Sequence, residues 1–454
     1  MAVRFFILSI IMKLSSLLGH AQELLQLIRT SDKPADSLID SFFRSHKYLG
    51  SHDRRFIAET VYGTLRHLRR CDAVLQRVMK SEEMDLLPQD GLLMILVVYL
   101  LIIERRLALS SADLAPLVKS SRMKSRLDEL LVRIAEVSEI DAREPAEKIG
   151  IQYSFPSWMV ERFLSEYGEE ETERICGGLN QQAPLTLRVN TLKTSVQECQ
   201  LVLEREGVAT VRTKLSPVGL EVGKRINVFR LQSFQAGLFE VQDEGSQLLP
   251  LIVDPKPTAK LLDACAGAGG KTLQFSALMK NRGEIVAADV NRVRLDQLRK
   301  RARRAGVSNV RVSEIQNLAD LDKQYRAYFD IVFIDAPCSG LGTIRRNPGM
   351  KWMVTEETIS ELSGKQLQIV SASSSLVKHG GILVYATCTL LREENEGVVE
   401  KFLRQHAEFD LVDPGEYSAD RQAQQFASSG YIRLMPHRHG TDGFFCAVLK
   451  RSSS

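Results

Sequence analysis

The sequence predicts an α/β protein with a parallel sheet, preceded by an all-α region. Two observations carry this prediction. Beyond Lys260, apolar strand-like runs alternate with helical runs, the pattern of βαβ units that pair their strands in parallel. Up to about residue 150, apolar residues recur at helical spacing without strand alternation.

The elements follow in chain order. "HAQELLQLI", "DSLIDSFFRSH", "DRRFIAETVYGTLRHLRRCDAVLQRVM", "LLMILVVYLLIIERR" and "SRLDELLVRIAEV" read as short, closely linked helices, giving an all-α domain over 13–150. Pro145, Gly150, Pro156 and Pro184 punctuate a transition that contains the helix "PSWMVERFLSEYG", and short strands begin at "LTLRVN". A small connecting α+β subdomain is expected over 151–240. The sheet domain, 241–451, then reads strand "KLLDA", helix "KTLQFSALMK", strand "GEIVAADV", helix "RVRLDQLRKRARRAG", strands "VRVSEI" and "FDIVFIDAP", helix "ELSGKQLQIVSASSSLV", and strand "GGILVYATC".

Composition bounds the function. With 454 residues, 44% apolar and 26% charged, the chain can fill real cores, and a net charge of +4 permits a polyanionic partner without requiring one. Seven cysteines without a CxxC pair make neither a disulfide framework nor a zinc site, so reduced thiols and a cytoplasmic location are expected. Leu92–Ile103 is too short to span a bilayer, which takes about 20 residues, and is expected to be a buried helix. The apolar start "MAVRFFILSIIM" is cut short by Lys13, and Met12 is the expected working start.

The chemistry concentrates at strand ends. "LLDACAGAGGKT" runs from a strand through three glycines into a helix, a turn that lets a nucleotide-like ligand approach backbone N–H groups in a Rossmann-like domain. It is not a Walker A loop, because Cys265 stands where the first glycine would be needed. Asp289, closing the next strand, is placed to accept hydrogen bonds from ribose hydroxyls, and alternatively to cap the following helix. Two further strands end in "DAPCSG" and "YATCT", each delivering a cysteine.

The strings "CAGAGGKT", "FIDAPCSGLGTIRRNP", "YATCTLLREENE" and "HGTDGFF", in this order over about 180–450, resemble the RNA cytosine-5 methyltransferases that use S-adenosylmethionine. The N-terminal helices, with "DRRFIAETVYGTLR", are similar to the NusB-like RNA-binding domain fused to such catalytic units. The resemblance implies 5-methylcytosine formation in RNA, with small-subunit ribosomal RNA as the expected partner, and a monomer that uses no metal and no membrane. It implies a cofactor site at Cys265, Ala266, Gly267, Ala268, Gly269, Gly270, Lys271, Asp289, Gln316 and Asp335, and Cys388, Cys338 and Asp335 as catalytic residues. It matches Cys388 to the nucleophile and Cys338 to the residue that assists release; the residues alone leave these two roles exchangeable.

The chemistry needs such groups. Cytosine C5 is a poor nucleophile, and adding a thiolate to C6 makes it an enamine that can attack a methyl sulfonium. An acid near N3, for which Asp335 is suitably close in sequence, favours that addition. Lys271, Arg345 and Arg346 are the cations available to favour a thiolate. Arg345 and Arg346, directly after the PC loop, are expected RNA contacts, and the resemblance adds Arg188, while the arginines of "RVRLDQLRKRARRAG" face either phosphates or solvent. His437 and His439 lack a third ligand and are expected in a substrate-side loop.

Two departures from the family pattern stand out. Ala268 and Gly267 occupy positions that usually hold proline and alanine, and Gln316 with Asn317 occupies a third strand tip that usually carries an acid. The competing readings are a noncatalytic RNA-binding or assembly protein, and a methyltransferase for another acceptor such as tRNA, DNA or protein.

Overall fold

The computed structural model describes residues 13–31, 33–105, 109–137, 142–224, 226–417 and 425–453. Residues 1–12, where the choice between two start methionines falls, lie outside the described residues. The chain divides by contacts into two compact units, one comprising residues up to 180 together with 346–354, the other 181–345 with 355–454. These boundaries differ from the expected ones: the helices Pro145–Tyr153, Ser157–Tyr167 and Glu169–Asn180 group with the helical unit, and so does a segment from inside the sheet domain.

In the helical unit, Leu14–Arg29 buries Leu17, Leu18, Ala21, Leu24, Leu25 and Ile28, a stripe at i, i+3, i+4 and i+7 spacing that packs as one face. The apolar run is buried over Leu92–Leu100 as expected and half-buried over 101–103, within helix Pro88–Val98 and a π-helical turn, Tyr99–Glu104, that ends on Arg105 at φ +51°. The inserted segment is pinned by Lys351. Its fully buried ammonium donates to the Arg66 and Ser154 carbonyls and to Asn180 Oδ1 at 3.0, 3.1 and 2.6 Å. Burial pushes the Lys351 pKa well below its usual value. Three donors with three acceptors are what makes a buried ammonium tolerable.

The second unit holds two sheets. The small one, β2-β3-β1-β4, is antiparallel and consists of β1 (Thr186–Val189), β2 (Thr210–Arg212), β3 (Gly219–Val222) and β4 (Phe239–Val241). The large one contains β5 (Lys260–Asp263), β6 (Glu284–Asp289), β7 (Val310–Glu314), β8 (Phe329–Asp335), β9 (Val377–Thr387), β10 (Phe409–Val412), β11 (Ala427–Ser428), β12 (Tyr431–Leu434) and β13 (Phe444–Arg451). Its order is β11-β12-β13-β9-β8-β5-β6-β7, with β10 beside β13. Strands β9, β8, β5, β6 and β7 are mutually parallel, and β13 is antiparallel to β9. Every strand read from the sequence beyond Lys260 is present.

Burial explains why these strands read as continuous apolar runs. In β8, Phe329, Val332 and Ile334 pack into the core on one face, and Ile331 and Phe333 into the core on the other. A parallel sheet covered on both sides needs apolar residues on both. The order reverses at β5, whose chain neighbour β6 lies on one side and β8 on the other. Ligands of open α/β sheets bind outside the strand ends at such a reversal.

Candidate active site

The loop leaving β5 forms one half of the site. Gly267 has φ +53° and a Cβ there would meet nothing within 4 Å, so the loop is open on that side. Gly269 caps the helix Gly270–Leu278 at φ +82°, and a Cβ would lie 2.5 Å from Leu298 Cγ. Only glycine meets both demands. Asp289, at the tip of β6, accepts from the Gly267 N–H at 2.8 Å and from the Asn291 N–H at 2.7 Å. The helix cap that sequence offered as its alternative role belongs to Asn291, which accepts from Arg294 N–H. Exposed Val290 adjoins it. An open glycine turn leading into a helix N-terminus, with a carboxylate at the next strand tip, fits a nucleoside-bearing ligand.

Gln316 at the third tip is exposed, and its N–H and that of Asn317 each donate to Asp320 Oδ2 at 3.0 Å. Asp320, in the 3-10 turn Leu318–Leu321, thus holds this tip through its backbone. Sequence reading missed it because the match was sought at a fixed position.

The tips of β8 and β9 form the other half. Cys338 Sγ lies 3.4 Å from Cys388 Sγ, and the Cys388 N–H points at Cys338 Sγ from 3.3 Å. The hydrogen bond with Cys388, then burial, then the charges of Cys388 and Glu394 raise the Cys338 pKa well above a thiol's usual value. Its contact with Cys388 and burial thus oppose ionisation of the Cys338 thiol. Beside them, Lys271 Nζ lies 2.5 Å from Asp335 Oδ2. Burial works against the Lys271 ammonium, but Asp335 outweighs it, and the field of Cys388 adds to the net upward shift. Asp335, Lys271, Cys338 and Cys388 are thus assembled at one place.

The expected RNA arginines sit elsewhere. Arg188 is buried; its Nη1 donates to the Gly270 carbonyl at 2.5 Å, to Gln274 Oε1 at 3.3 Å and to Gln242 Oε1, and burial lowers its pKa to about 9. Arg345 is buried as well, donating to the carbonyls of Gly440 and Thr441 at 2.6 and 2.8 Å. Both underlie the site and do not face a surface, because a buried guanidinium must satisfy its donors within the protein. Arg346 belongs to the helical unit. In the basic helix Arg292–Ala305, Arg301 and Arg304 pair with buried Glu240, and Arg301 also donates to the Ala268 carbonyl of the glycine loop at 2.7 Å.

His439 Nδ1 accepts from the Met435 N–H at 2.8 Å. Among the described residues, neither His437 nor His439 belongs to a group of three potential metal ligands; the group found, His20, Glu23 and His46, lies in the helical unit. Sequence reading also passed over Glu394, whose carboxylate is fully buried between the two cysteine loops.

Known proteins share this architecture. A model described as "16S rRNA methyltransferase RsmB/F" matches residues 250–450, and one described as "Methyltr_RsmF/B-like, ferredoxin-like domain" matches 155–229. The chain is 34% identical to a probable ribosomal RNA small subunit methyltransferase B of Synechocystis, over 94% of this chain and 98% of the relative. Its identity to a protein of the same description from Bacillus subtilis is 30%, over 97% and 100% of the two chains. Among solved structures, that of PH0851 aligns at a TM-score of 0.74 and 29% identity, covering 96% of this chain and 99% of its own. A methyltransferase homolog protein from Pyrococcus horikoshii aligns at 0.58 and 29%, covering 68% of this chain and all of its own. The chain belongs to the RsmB/F family of 16S rRNA methyltransferases.

Proposed function

We propose that the protein makes 5-methylcytosine in small-subunit ribosomal RNA through a covalent bond between Cys388 and C6 of the target base. The observation that carries this reading is the pair of sulfurs 3.4 Å apart on neighbouring strand tips, flanked by the Lys271–Asp335 ion pair. S-adenosylmethionine, held by the glycine loop and Asp289, supplies the electrophilic methyl group.

The chain's residues divide the remaining work. The Cys388 thiolate adds to C6, and the ring electrons shift toward N3, where a donated proton stabilises them; in the Lys271–Asp335 ion pair beside the cysteines, Lys271 carries protons to donate and the Asp335 carboxylate accepts, as from the cytosine 4-amino group. Lys271 puts a positive charge near the nascent thiolate. Once C5 carries the methyl group, its proton passes to solvent and the C6–S bonding pair returns to Cys388, restoring the aromatic ring, with the Cys338 thiol beside the departing sulfur. Cys338, whose thiol is opposed in ionising by its contact with Cys388 and by burial, is suited to the release step more than to opening the reaction. A base paired in a stem must first be unstacked and flipped, and the helical unit is the part that selects RNA by shape and backbone.

Methyl transfer to total RNA from a deletion strain tests the reading. Wild type labels small-subunit ribosomal RNA, and bisulfite sequencing finds the modified cytosine. Cys388→Ala abolishes transfer, a loss of at least about 10³-fold, and Cys338→Ala accumulates a covalent RNA adduct. Label in tRNA would redirect the substrate, activity surviving Cys388→Ala would exchange the cysteine roles, and no label in any RNA would favour a binding protein.

A further inference from the structure

We infer that Glu394 is a positioning residue that clamps the two cysteine loops together and sets the separation of their sulfurs. This rests on the methyltransferase reading of the site. Glu394 ends a short 3-10 turn, Arg392–Glu394, just after the Cys388 loop, and is fully buried. Its Oε1 accepts from the Ser339 N–H at 2.8 Å, and its Oε2 from the Ser339 hydroxyl at 2.5 Å. Ser339 directly follows Cys338. A hydroxyl carries one proton, so with Ser339 O–H given to the carboxylate, the 2.9 Å contact between Ser339 and Thr389 must run from Thr389 O–H to Ser339 Oγ. Thr389 directly follows Cys388. The residue after each cysteine is thus tied into one carboxylate.

A third element closes the clamp. Gln366, fully buried on the helix Glu356–Ser374, donates one amide hydrogen to Glu394 Oε1 and the other to the Pro337 carbonyl, each at 3.0 Å. Pro337 directly precedes Cys338, so that loop is held on both sides of its sulfur. The Glu394 carbonyl in turn accepts from the Tyr385 hydroxyl of β9 at 2.6 Å, and neighbouring Asn395 donates to the Thr389 carbonyl at 3.2 Å. The side-chain hydrogen bonds of Glu394 run to Ser339 and Gln366, on the cysteine side of the site. Its loss should therefore disturb the geometry of the sulfurs without disturbing cofactor capture. Displacing a reacting group by about 1 Å can cost about 10²-fold in rate.

The test compares Glu394→Ala, Glu394→Gln and Gln366→Leu in the full-length chain. Glu394→Ala is expected to lower kcat about 100-fold with the KM for S-adenosylmethionine within about threefold of wild type. Glu394→Gln keeps one acceptor oxygen and is expected to recover about tenfold of that loss. Dibromobimane, which fluoresces when it bridges two nearby thiols, supplies a readout independent of RNA. Bridging of Cys338 to Cys388, defined as the signal absent from Cys338→Ala, should slow severalfold in Glu394→Ala and in Gln366→Leu. It tests the clamp even if methylation of RNA fails altogether. Unchanged bridging in Gln366→Leu and Glu394→Gln together, or a KM that rises in step with the fall in kcat, overturns the inference, including where Glu394→Ala does not fold.

Discussion

The two halves of the active site are built on different principles. The half at the tips of β5 and β6 is made largely of backbone: an open glycine loop, the helix start it leads into, and one carboxylate that holds the loop. The half at β8 and β9 is made of side chains bonded to one another, the half-buried Cys338 with buried Ser339, Thr389, Glu394 and Gln366, each fixed by its neighbours. A backbone cradle tolerates exchange of side chains that point away from it, which is why Ala268 can stand where the family usually has proline. A buried polar network tolerates little, because losing one partner strands the others unsatisfied.

Lys271 joins the halves, since it begins the helix after the glycine loop and ends on Asp335. Replacing it with methionine should break the comparison most severely. Lys271→Met removes the positive charge from beside the sulfurs and leaves Asp335 without its partner, and kcat should fall about 10²-fold. The KM for S-adenosylmethionine should move by less than about threefold, because the ammonium is engaged by Asp335. A fall confined to KM would place Lys271 in the cradle alone.

Asp289 belongs wholly to the backbone half. Asp289→Ala should raise the KM for S-adenosylmethionine about tenfold, equivalent to about 1.4 kcal/mol of binding, with kcat little changed. Part of that loss comes from freeing the Gly267 N–H that the carboxylate orders. Gln316→Ala should change affinity by less than about twofold, because its exposed side chain is not what holds the third tip; Asp320 does so through the backbone. Calorimetry of cofactor binding separates the two variants, and equal effects would contradict the division of labour drawn here.

What could be read from the sequence follows the same divide. The glycine loop and Asp289 are legible because a backbone cradle needs glycines at fixed offsets from a strand, which is local information. The sheet is legible because strands buried on both faces are apolar throughout. The cysteines are legible as a resemblance, and their position at strand ends makes them suspicious on their own. Glu394 stood in plain sight in "REENE", but its partner Ser339 lies 55 residues away, and no periodicity announces a pairing that only the folded sheet creates. Arg188 and Arg345 mislead for a related reason: an arginine next to a motif looks like a phosphate contact until burial shows that it serves backbone carbonyls. The segment 346–354 follows the cysteine loop in sequence, yet Lys351 anchors it among helices.

Asp263 offers the smallest test, and it probes the floor on which both halves stand. It ends β5, is 1% exposed, and its Oδ2 accepts from the Thr272 hydroxyl at 2.6 Å. Its Oδ1 has no hydrogen-bond partner among the described residues. Burial raises its pKa to about 7; the Thr272 hydrogen bond and Lys271 pull down, while Asp335 and Asp289 push up. An unfolded aspartate titrates near about 3.9, so the folded protein holds this proton more tightly than the unfolded chain does. The stabilisation is complete below about pH 4 and is lost as pH rises through about 7. Asp263→Asn cannot ionise. Its thermal midpoint relative to wild type should therefore climb between pH 5 and pH 8, by about 3 °C for each kcal/mol by which ionisation destabilises the wild type. A wild type that gains on the variant over the same range would mean that Asp263 is held as a carboxylate, stabilised by Lys271 at the junction of the two halves.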